Sequence, residues 1–425
     1  MDKRTLDYIY ALKREGVKLD LDIVSEFSRV TGDSYSSFDS VHVAGTNGKG
    51  STSCLIYNVL NLSARTGLYT SPHLVKFNER VVSGVEMIPD SYIEKFVNDH
   101  MGDIEKLKTN NRNPTFFEVT TVMAFDYFRD TGCKRASIEV GLGGRLDATN
   151  ILRPQVAVIT QIGYEHANLL GGSLTSIARE KGGIIKPGIP VVVGERKPEP
   201  LKELARIAGL MGSKLIQVDR ACRTSNEEST VQGNSVRVAT DRDTYDLRCS
   251  MPGKYQIRNL LTSVIALENL PDPPSRVEIE KGIENSRWPG RLELVRDDPP
   301  IILDSAHNPP AAQALVTSLK GLLREEPILM VGQLKDKDYF SFLNVIRHLS
   351  GRIVLTTPDE EDRAEDPYKL LPICKGLFRE SSVIPDPVEA YEYVKNQGSA
   401  AVITGSIYLV GLIKGLENSS LNPFK

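Results

Sequence analysis

Ser40-Val41-His42-Val43-Ala44-Gly45-Thr46-Asn47-Gly48-Lys49-Gly50-Ser51-Thr52 is the stretch from which the fold of this chain can be worked out. Its two valines indicate a short strand, its glycines a tight turn, and the apolar residues from Cys54 to Leu62 a following helix. A strand, a glycine-rich turn, a lysine, a hydroxyl side chain and a helix are the parts of a phosphate-binding loop. In such a loop, backbone N–H groups and the positive end of the helix dipole bind phosphate oxygens, and Lys49 would add a cation. The alternative is a glycine-rich turn that only caps a core helix.

The spacing of this loop differs from the usual one at Gly50, which lies between Lys49 and Ser51. A hydroxyl group from Ser51 or Thr52 suits Mg²⁺, which prefers hard oxygen ligands. The loop residues that we predict to contact a nucleotide are Thr46, Asn47, Gly48, Lys49, Gly50 and Ser51.

The composition is typical of a soluble enzyme with two or three domains. The chain has 425 residues, and 40% of them are hydrophobic, which is enough for more than one core. The formal net charge is −3, from 52 basic and 55 acidic residues, so no basic excess is available to neutralise nucleic-acid phosphates. The five cysteines lack the spacing of a metal site, which predicts reduced thiols in the cytoplasm. We expect neither export nor membrane insertion, because no apolar stretch follows the N-terminus and no run approaches ~18 apolar residues.

Alternating strand-like and helix-like segments predict an α/β fold with a mostly parallel sheet. Apolar residues recur with helical spacing in residues 5–30, and a helix is predicted at 115–128. Short apolar runs at 136–140, 155–161 and 190–193 indicate strands. We expect helices on both faces of this sheet.

Residues 219–250 differ from this pattern, because polar and β-branched residues alternate there and predict a small antiparallel sheet. The segment 288–300, which contains Pro289, Pro299 and Pro300, indicates a domain boundary. A second α/β unit is predicted beyond it, with strands at 301–303, 328–331, 353–355 and 401–404. The predicted domains are a P-loop nucleotide-binding domain at 1–290, a linker at 291–299 and a smaller C-terminal domain at 300–425.

Two further side chains follow predicted strands and are candidates for ligand binding. Glu139 lies near the end of the strand at 136–140, and His166 follows the strand at 155–161. Open α/β sheets bind ligands at the carboxyl ends of their strands, so Glu139 is well placed to hold Mg²⁺. A structural ion pair is the alternative for Glu139, and a hydrogen-bonded structural role is the alternative for His166.

Taken together, the motifs of this chain resemble the folylpolyglutamate synthase and dihydrofolate synthase family, within the wider Mur ligase superfamily. The matching stretches are His42–Thr52, Thr70–Arg80, Thr115–Glu118, Glu139–Asn150, His166, Glu180–Ile184, Pro252–Asn259, Pro289–Arg291, Asp304–Pro309, Leu334–Asp338 and Thr404–Gly411. The resemblance implies an ATP-dependent ligase that joins L-glutamate to the carboxylate of dihydropteroate, of folates or of both, through an acyl phosphate. It also implies a first domain of the Mur ligase central type and a Rossmann-like C-terminal glutamate-ligase domain.

The resemblance implies roles for single residues at positions that match family motifs. Lys49, Glu139, His166 and Lys181 would be catalytic. Ser51, Ser71, Glu139, His166 and Lys181 would hold two Mg²⁺ ions. Asn259, Arg291 and Asp304 would complete an ATP site between the domains. The pterin-binding residues would be Thr115, Phe116, Phe117, Glu118, Leu146, Asp147 and Ala148, which could equally form a helix start with core aromatics.

Lys181 lies in a stretch that matches the family pattern Glu-Lys-Ala-Gly-Ile, with Gly182 in place of the alanine. The resemblance implies that this lysine reacts with CO₂ and that its carbamate oxygens help to hold the second Mg²⁺. A cation beside metal ions is repelled, whereas a carbamate is an anionic oxygen ligand. The alternative is a solvent-facing helix lysine that pairs with Glu180 or a phosphate.

Other classes of protein remain as alternatives at this point. One is a Mur-type amino-acid ligase for another carboxylate acceptor, although the position of Lys49 predicts no room for the usual N-terminal substrate domain. Others are a P-loop NTPase switch, disfavoured by the extra Gly50, and an inactive binding module. The predicted partners are small-molecule substrates, and we expect a monomer that binds neither nucleic acid nor membranes.

Overall fold

The chain forms two α/β units, each built on a mostly parallel sheet. Its computed structural model describes residues 1–12, 20–108, 113–164, 170–323, 325–360 and 362–417. Within these residues, no helix is both long enough and apolar enough to cross a membrane.

The helices of the first unit cover both faces of its sheet. They are α1 (Lys3–Ala11), α2 (Asp22–Val30), α3 (Lys49–Leu60), α4 (Asp90–Leu107), α5 (Phe116–Asp130), α6 (Leu174–Gly182), α7 (Pro198–Leu210), α8 (Val218–Ala221), α9 (Lys254–Glu268) and α10 (Arg276–Glu284). Its strands are β1 (Asp39–Ala44), β2 (Thr66–Tyr69), β3 (Val81–Ser83), β4 (Glu86–Met87), β5 (Arg135–Glu139), β6 (Val156–Ile159), β7 (Val191–Val193), β8 (Leu215–Gln217), β9 (Cys222–Thr230), β10 (Gly233–Thr240) and β11 (Thr244–Cys249).

The first sheet places β1 at its centre. Within the described residues it has eight strands in the order β4-β3-β2-β5-β1-β6-β7-β8, and all pairs from β2 to β8 are parallel. Val43 of β1 lies beside Glu139 of β5 on one side and Val158 of β6 on the other. The carboxyl ends of these three strands therefore meet at one edge of the sheet.

Alternating side chains explain why helices cover both faces of this sheet. Val41 and Val43 of β1 pack with α3, α9 and α10, whereas Ala136 and Ile138 of β5 pack with α5 on the opposite face.

The predicted antiparallel segment is confirmed, since β9, β10 and β11 form a separate three-stranded sheet. The prediction of one helical segment at 5–30 is wrong in part, because Asp20 and Leu21 precede α2; residues 13–19 lie outside the described part of the chain.

The second unit has a six-stranded sheet within the described residues, in the order β12-β13-β17-β14-β15-β16. Its strands are β12 (Glu293–Asp297), β13 (Pro300–Leu303), β14 (Ile328–Val331), β15 (Arg352–Leu355), β16 (Glu380–Val383) and β17 (Ala401–Thr404). Its helices are α11 (Pro309–Leu319), α12 (Tyr339–Ile346), α13 (Pro367–Leu377), α14 (Pro387–Lys395) and α15 (Ile407–Leu416).

The segment predicted as a linker at 291–299 contains one of these strands. β12 pairs antiparallel with β13, so residues 293–297 belong to the second sheet. The prolines and charged residues of this segment suggested a connection, but an edge strand tolerates both. The connection between the units is thus confined to the residues just before β12.

Candidate active site

The carboxyl ends of β5 and β1 open into a cleft of about 2180 Å³ that is lined by residues of both units. Most of the residues that the sequence predicted for the site meet here, from positions far apart in the chain. The predicted residues that line the cleft are Thr46, Asn47, Gly48, Lys49, Gly50, Ser51, Ser71, Thr115, Phe116, Phe117, Glu118, Glu139, Leu146, Asp147, Ala148, Asn259, Arg291 and Asp304.

The phosphate loop joins β1 to α3, and Lys49 is the first residue of the helix. Gly48 precedes it with φ of +89°, a left-handed conformation that glycine adopts without strain. A Cβ atom at Gly48 would also overlap the side chain of Asn259 on α9. Nζ of Lys49 donates to the carbonyl of Thr46 at 3.2 Å, which places the cation beside the amino end of α3. This end of the helix lines the cleft and supplies donors for an anion.

Gly50, which disturbs the usual spacing of the loop, is explained by Trp288. A Cβ atom at Gly50 would lie 2.8 Å from Cζ2 of the indole, closer than van der Waals contact allows. Trp288 lies immediately before the residues that connect the two units. The extra glycine therefore allows this connection to pack directly on the phosphate loop.

The loop is held from its other side by the segment after β6. The backbone N–H of Thr46 donates to the carbonyl of Gln161 at 2.7 Å, and its hydroxyl bonds both backbone groups of Gly163 at 3.0–3.1 Å. The hydroxyl of Thr160 donates to the carbonyl of Asn47 at 2.8 Å. These bonds fix the phosphate loop against the segment that leads toward His166, which itself lies outside the described residues. The role predicted for His166 stays a prediction.

Glu139 is the last residue of β5 and is only 5% exposed. Its Oε2 accepts a hydrogen bond from the backbone N–H of Ser71 at 3.1 Å. Burial raises the pKa of Glu139 to about 7, although the charge of Lys49, the Ser71 N–H and the charges of Arg291 and Arg80 act in the opposite direction. A buried carboxylate surrounded by cations, at the edge of a cleft, is suited to bind a divalent ion.

Lys181 lies in the last turn of α6 and is 1% exposed. Its Nζ donates to the carbonyl of Gly45, the first residue of the glycine-rich turn, at 2.8 Å. Glu180 is instead paired with Arg145 at 3.0 Å. The alternative of a solvent-facing lysine paired with Glu180 is therefore wrong. Lys181 is buried and contacts the backbone of the phosphate loop.

The predicted pterin segment begins α5 with a capping box. The backbone N–H and the hydroxyl of Thr115 both donate to Oε2 of Glu118 at 2.7 Å, and the Glu118 N–H donates to the Thr115 hydroxyl at 3.3 Å. One carboxylate oxygen of Glu118 is thus used for helix capping. Both residues still line the cleft, so the helix start and the site share the same side chains.

Aromatic rings and a second buried carboxylate line the same part of the cleft. The ring of Phe116 stacks on that of Tyr10 with centroids 6.0 Å apart, and Phe117 packs near Tyr69 with centroids 5.9 Å apart. Asp147 accepts hydrogen bonds from the backbone N–H groups of Leu142 at 2.8 Å and Thr149 at 3.0 Å. This wall combines flat apolar surfaces with a fixed carboxylate.

The second unit contributes Asp304, which follows β13 and is 4% exposed. Its two oxygens accept from the backbone N–H groups of Leu292 and Ala306, each at 2.9 Å. Burial raises the pKa of Asp304, while the charge of Arg291 and these hydrogen bonds lower it. Asp304 therefore braces the end of the connection between the units against the turn after β13.

A second contact joins the units across the cleft. The side-chain amides of Asn47 and Asn308 are paired at 3.3–3.4 Å. Asn308 also caps α11 by accepting from the Ala311 N–H, so the amino end of an 11-residue helix lies opposite the phosphate loop. Nδ1 of His307 lies 2.9 Å from the carbonyl of Ser305.

Several residues that organise this site were not predicted from the sequence. Gln256 donates to the Ser51 hydroxyl at 3.3 Å and accepts from Asn259 at 2.7 Å. It therefore orients two side chains that are predicted to bind the nucleotide. Glu195 accepts from the backbone N–H of Ile162 and so braces the segment after β6. No spacing rule identifies such long-range partners, whereas Trp288 could have been noticed as the only tryptophan.

The donor set in the cleft fits Mg²⁺ better than a transition metal. No group of three or more His, Cys, Asp or Glu side chains is placed to hold a metal in the part of the chain that the structure describes. The cleft instead offers the hydroxyls of Ser51 and Ser71 and the carboxylate of Glu139. Hydroxyl, carboxylate and phosphate oxygens are the ligands that Mg²⁺ prefers.

Comparison with known proteins identifies two matching family models. Residues 43–267 match the Mur ligase middle domain, and residues 290–407 match the Mur ligase glutamate ligase domain.

Curated and solved proteins match over nearly the whole chain. A dihydrofolate synthase/folylpolyglutamate synthase of Bacillus subtilis is 34% identical over 96% of this chain and 97% of its own length. The crystal structure of folylpolyglutamate synthase from Thermotoga maritima has a TM-score of 0.87 and 33% identity, with 99% of each chain covered. Folylpolyglutamate synthase of Mycobacterium tuberculosis, solved with ADP, has a TM-score of 0.90 and 26% identity over 98% of this chain and 99% of that one.

Proposed function

This chain belongs to the folylpolyglutamate synthase and dihydrofolate synthase family of Mur ligases, and we propose that it is an ATP-dependent ligase joining L-glutamate to the carboxylate of dihydropteroate, of folates or of both. The observation that carries this proposal is a single cleft that gathers a phosphate loop, a buried carboxylate and, from the second unit, Asp304. These groups suit a reaction in which ATP and a carboxylate acceptor must be brought together.

The chemistry requires activation of a poor electrophile. The acceptor carboxylate attacks the γ-phosphorus of ATP, ADP leaves, and an acyl phosphate results. The amine of glutamate then attacks the acyl carbon, and inorganic phosphate leaves as the amide forms. The protein's part is to align two anions and to neutralise charge at the transferring group.

The phosphate loop performs the positioning of ATP. The amino end of α3 donates backbone N–H groups to phosphate oxygens, and the Lys49 ammonium balances their charge. Asn259, Arg291 and Asp304 hold the rest of the nucleotide between the units. Their placement supports this role, because Asp304 braces the connection that carries Arg291.

We assign two Mg²⁺ ions to Ser51, Ser71, Glu139, His166 and Lys181, the last as a carbamate. When bound, the ions supply charge neutralisation at the phosphates. Glu139, held by the Ser71 N–H, offers a fixed anionic oxygen. Lys181 is buried against the loop backbone, where a carbamate would replace an ammonium by hard oxygen ligands.

The acceptor occupies the wall formed by Thr115–Glu118 and Leu146–Ala148. The rings of Phe116 and Phe117 offer flat apolar contact for a heterocycle, and a fixed carboxylate suits its N–H donors.

The enzyme acts as a cytoplasmic monomer, with a nucleotide-binding domain at 1–290 and a glutamate-ligase domain at 300–425.

An acceptor panel tests this proposal. ADP release and amide formation are measured with dihydropteroate, tetrahydrofolate or a UDP-muramoyl peptide, each with and without glutamate. We expect glutamate-dependent amide formation with a pterin acceptor. Turnover only with the muramoyl peptide would instead identify another Mur-type ligase, and ADP release that needs neither acceptor nor glutamate would identify an NTPase switch.

A further inference from the structure

Arg80 is a buried cation that forms no ion pair within the described residues. It ends the 3₁₀ turn Phe77–Arg80, lines the cleft and is 6% exposed. Its Nε donates to Nδ1 of His73 at 2.8 Å, but no carboxylate of the described residues forms an ion pair with it. Its two terminal nitrogens form no hydrogen bond with the described residues.

The surroundings of Arg80 hold its guanidinium in one orientation. The Cζ atom lies 5.0 Å from the ring centroid of Phe116 and 6.0 Å from that of Phe77. Such contacts favour a cation over an aromatic face and limit the rotation of a long side chain. The guanidinium is thus preorganised before any ligand binds.

An unpaired buried charge is costly to a folded protein unless a ligand compensates it. Removing an ionised group from water is unfavourable, and buried arginines are ordinarily paired with carboxylates. Burial accordingly lowers the pKa of Arg80. The nearby carboxylate of Glu139 forms no ion pair with Arg80, so the buried charge points to an anionic ligand.

We propose that Arg80 binds the carboxylate of the acceptor and presents it for phosphorylation. The inference rests on the proposed function and adds a named residue to it. A guanidinium matches a carboxylate through two parallel hydrogen bonds, a geometry that a lysine cannot reproduce. Arg80 is therefore a specificity-determining residue for acidic acceptors.

The location of Arg80 favours the acceptor over the other anions of the reaction. It contacts Phe116, at the start of the wall assigned to the heterocycle. Its charge also opposes the rise in the pKa of buried Glu139, the carboxylate assigned to Mg²⁺, so the two groups lie within electrostatic range. The acceptor's carboxylate must lie between the heterocycle and the γ-phosphate, and the phosphates already have Lys49 and the amino end of α3.

The test compares binding of dihydropteroate with binding of its analogue that lacks the carboxylate, in the presence of Mg²⁺ and a non-hydrolysable ATP analogue. We expect wild-type protein to prefer the acid by about 10- to 100-fold, the range for charge-assisted hydrogen bonds. Arg80→Met should lose this preference and bind the uncharged analogue as the wild type does. Its unfolding midpoint is measured in parallel, so that a loss of folding is distinguished from a loss of acid binding.

Arg65→Met is the matched control, because Arg65 pairs with Glu86 at the opposite end of the same hairpin and does not line the cleft. It should keep the full preference. Arg80→Lys, which keeps the charge but not the planar fork, should retain only part of it, and it provides the same comparison if Arg80→Met does not fold.

Two results would overturn the inference, and they differ in what else they affect. An unchanged preference for the acid in folded Arg80→Met, with dihydropteroate still used by the wild type, would refute the role of Arg80 alone. A wild-type protein that binds neither ligand and forms no amide would remove the proposed function and this inference together.

Discussion

Acidification should destabilise the first unit through His42, a fully buried histidine of β1. Its Nε2 lies 2.8 Å from the hydroxyl of Thr149, which itself donates to Asp147, so Nε2 is the protonated nitrogen of the neutral ring. Nδ1 is buried and has no hydrogen-bond partner among the described residues. Adding a proton there would create a buried charge with an unsatisfied donor. Burial, together with the charge of Lys186, lowers the pKa of His42 to about 3.

The direction in which stability changes with pH depends on whether the folded or the unfolded state binds more protons. The unfolded chain has a histidine pKa of ~6.5, so between that value and about 3 the unfolded state binds the extra proton. Above pH ~6.5 protonation of this histidine therefore has no effect on stability, and the free energy of unfolding decreases as the pH falls from ~6.5 toward about 3. From pH 7 to pH 5 the loss amounts to about 2 kcal/mol, since ~1.5 pH units at ~1.4 kcal/mol each lie within the window.

The assay is urea unfolding of wild type and His42→Gln at pH 7, 6 and 5, followed by circular dichroism and by fluorescence of Trp288. Glutamine can donate to Thr149 but does not titrate, so its variant should lack this part of the pH dependence. Relative to His42→Gln, the unfolding free energy of the wild type should fall by about 2 kcal/mol as the pH is lowered from 7 to 5. A difference that stays constant over this range would refute the reasoning.

Four further predictions concern the site. Lys49→Ala should fold but lose at least ~10³-fold in turnover, because the phosphates lose their cation; near-normal ADP formation would remove Lys49 from the mechanism. Asp304→Ala should raise the KM for ATP about 10-fold and the acceptor KM much less; a change confined to the acceptor would mean that the second unit does not complete the ATP site. Lys181→Ala should be nearly inactive and partly restored by short carboxylates, while Lys181→Arg stays inactive; an active Lys181→Arg would exclude a carbamate. Gly50→Ala should lower the unfolding midpoint by overpacking against Trp288 at a cost of ~1–3 kcal/mol, and an unchanged midpoint would show that the indole moves away freely.

Local patterns were sufficient for much of the fold. The strands around 136–140, 155–161 and 190–193 are confirmed as β5, β6 and β7 within one or two residues, because short apolar runs between turn residues describe strands buried on both faces. The linker prediction missed β12, since an edge strand is only partly buried and carries no such run. The break before α2 was missed for a different reason, because apolar residues recur with helical spacing on both sides of it.

The sequence by itself determined the phosphate loop, the α/β class and the set of residues at strand ends, because these depend on neighbours along the chain. Glycines that permit a turn, alternating apolar residues and a lysine before a helix act within a few positions of one another. The tertiary structure alone decided that Trp288 packs on Gly50, that Lys181 is buried against the loop backbone and that Arg80 forms no ion pair among the described residues. Burial and pairing are properties of the space between distant segments, and no local pattern contains them.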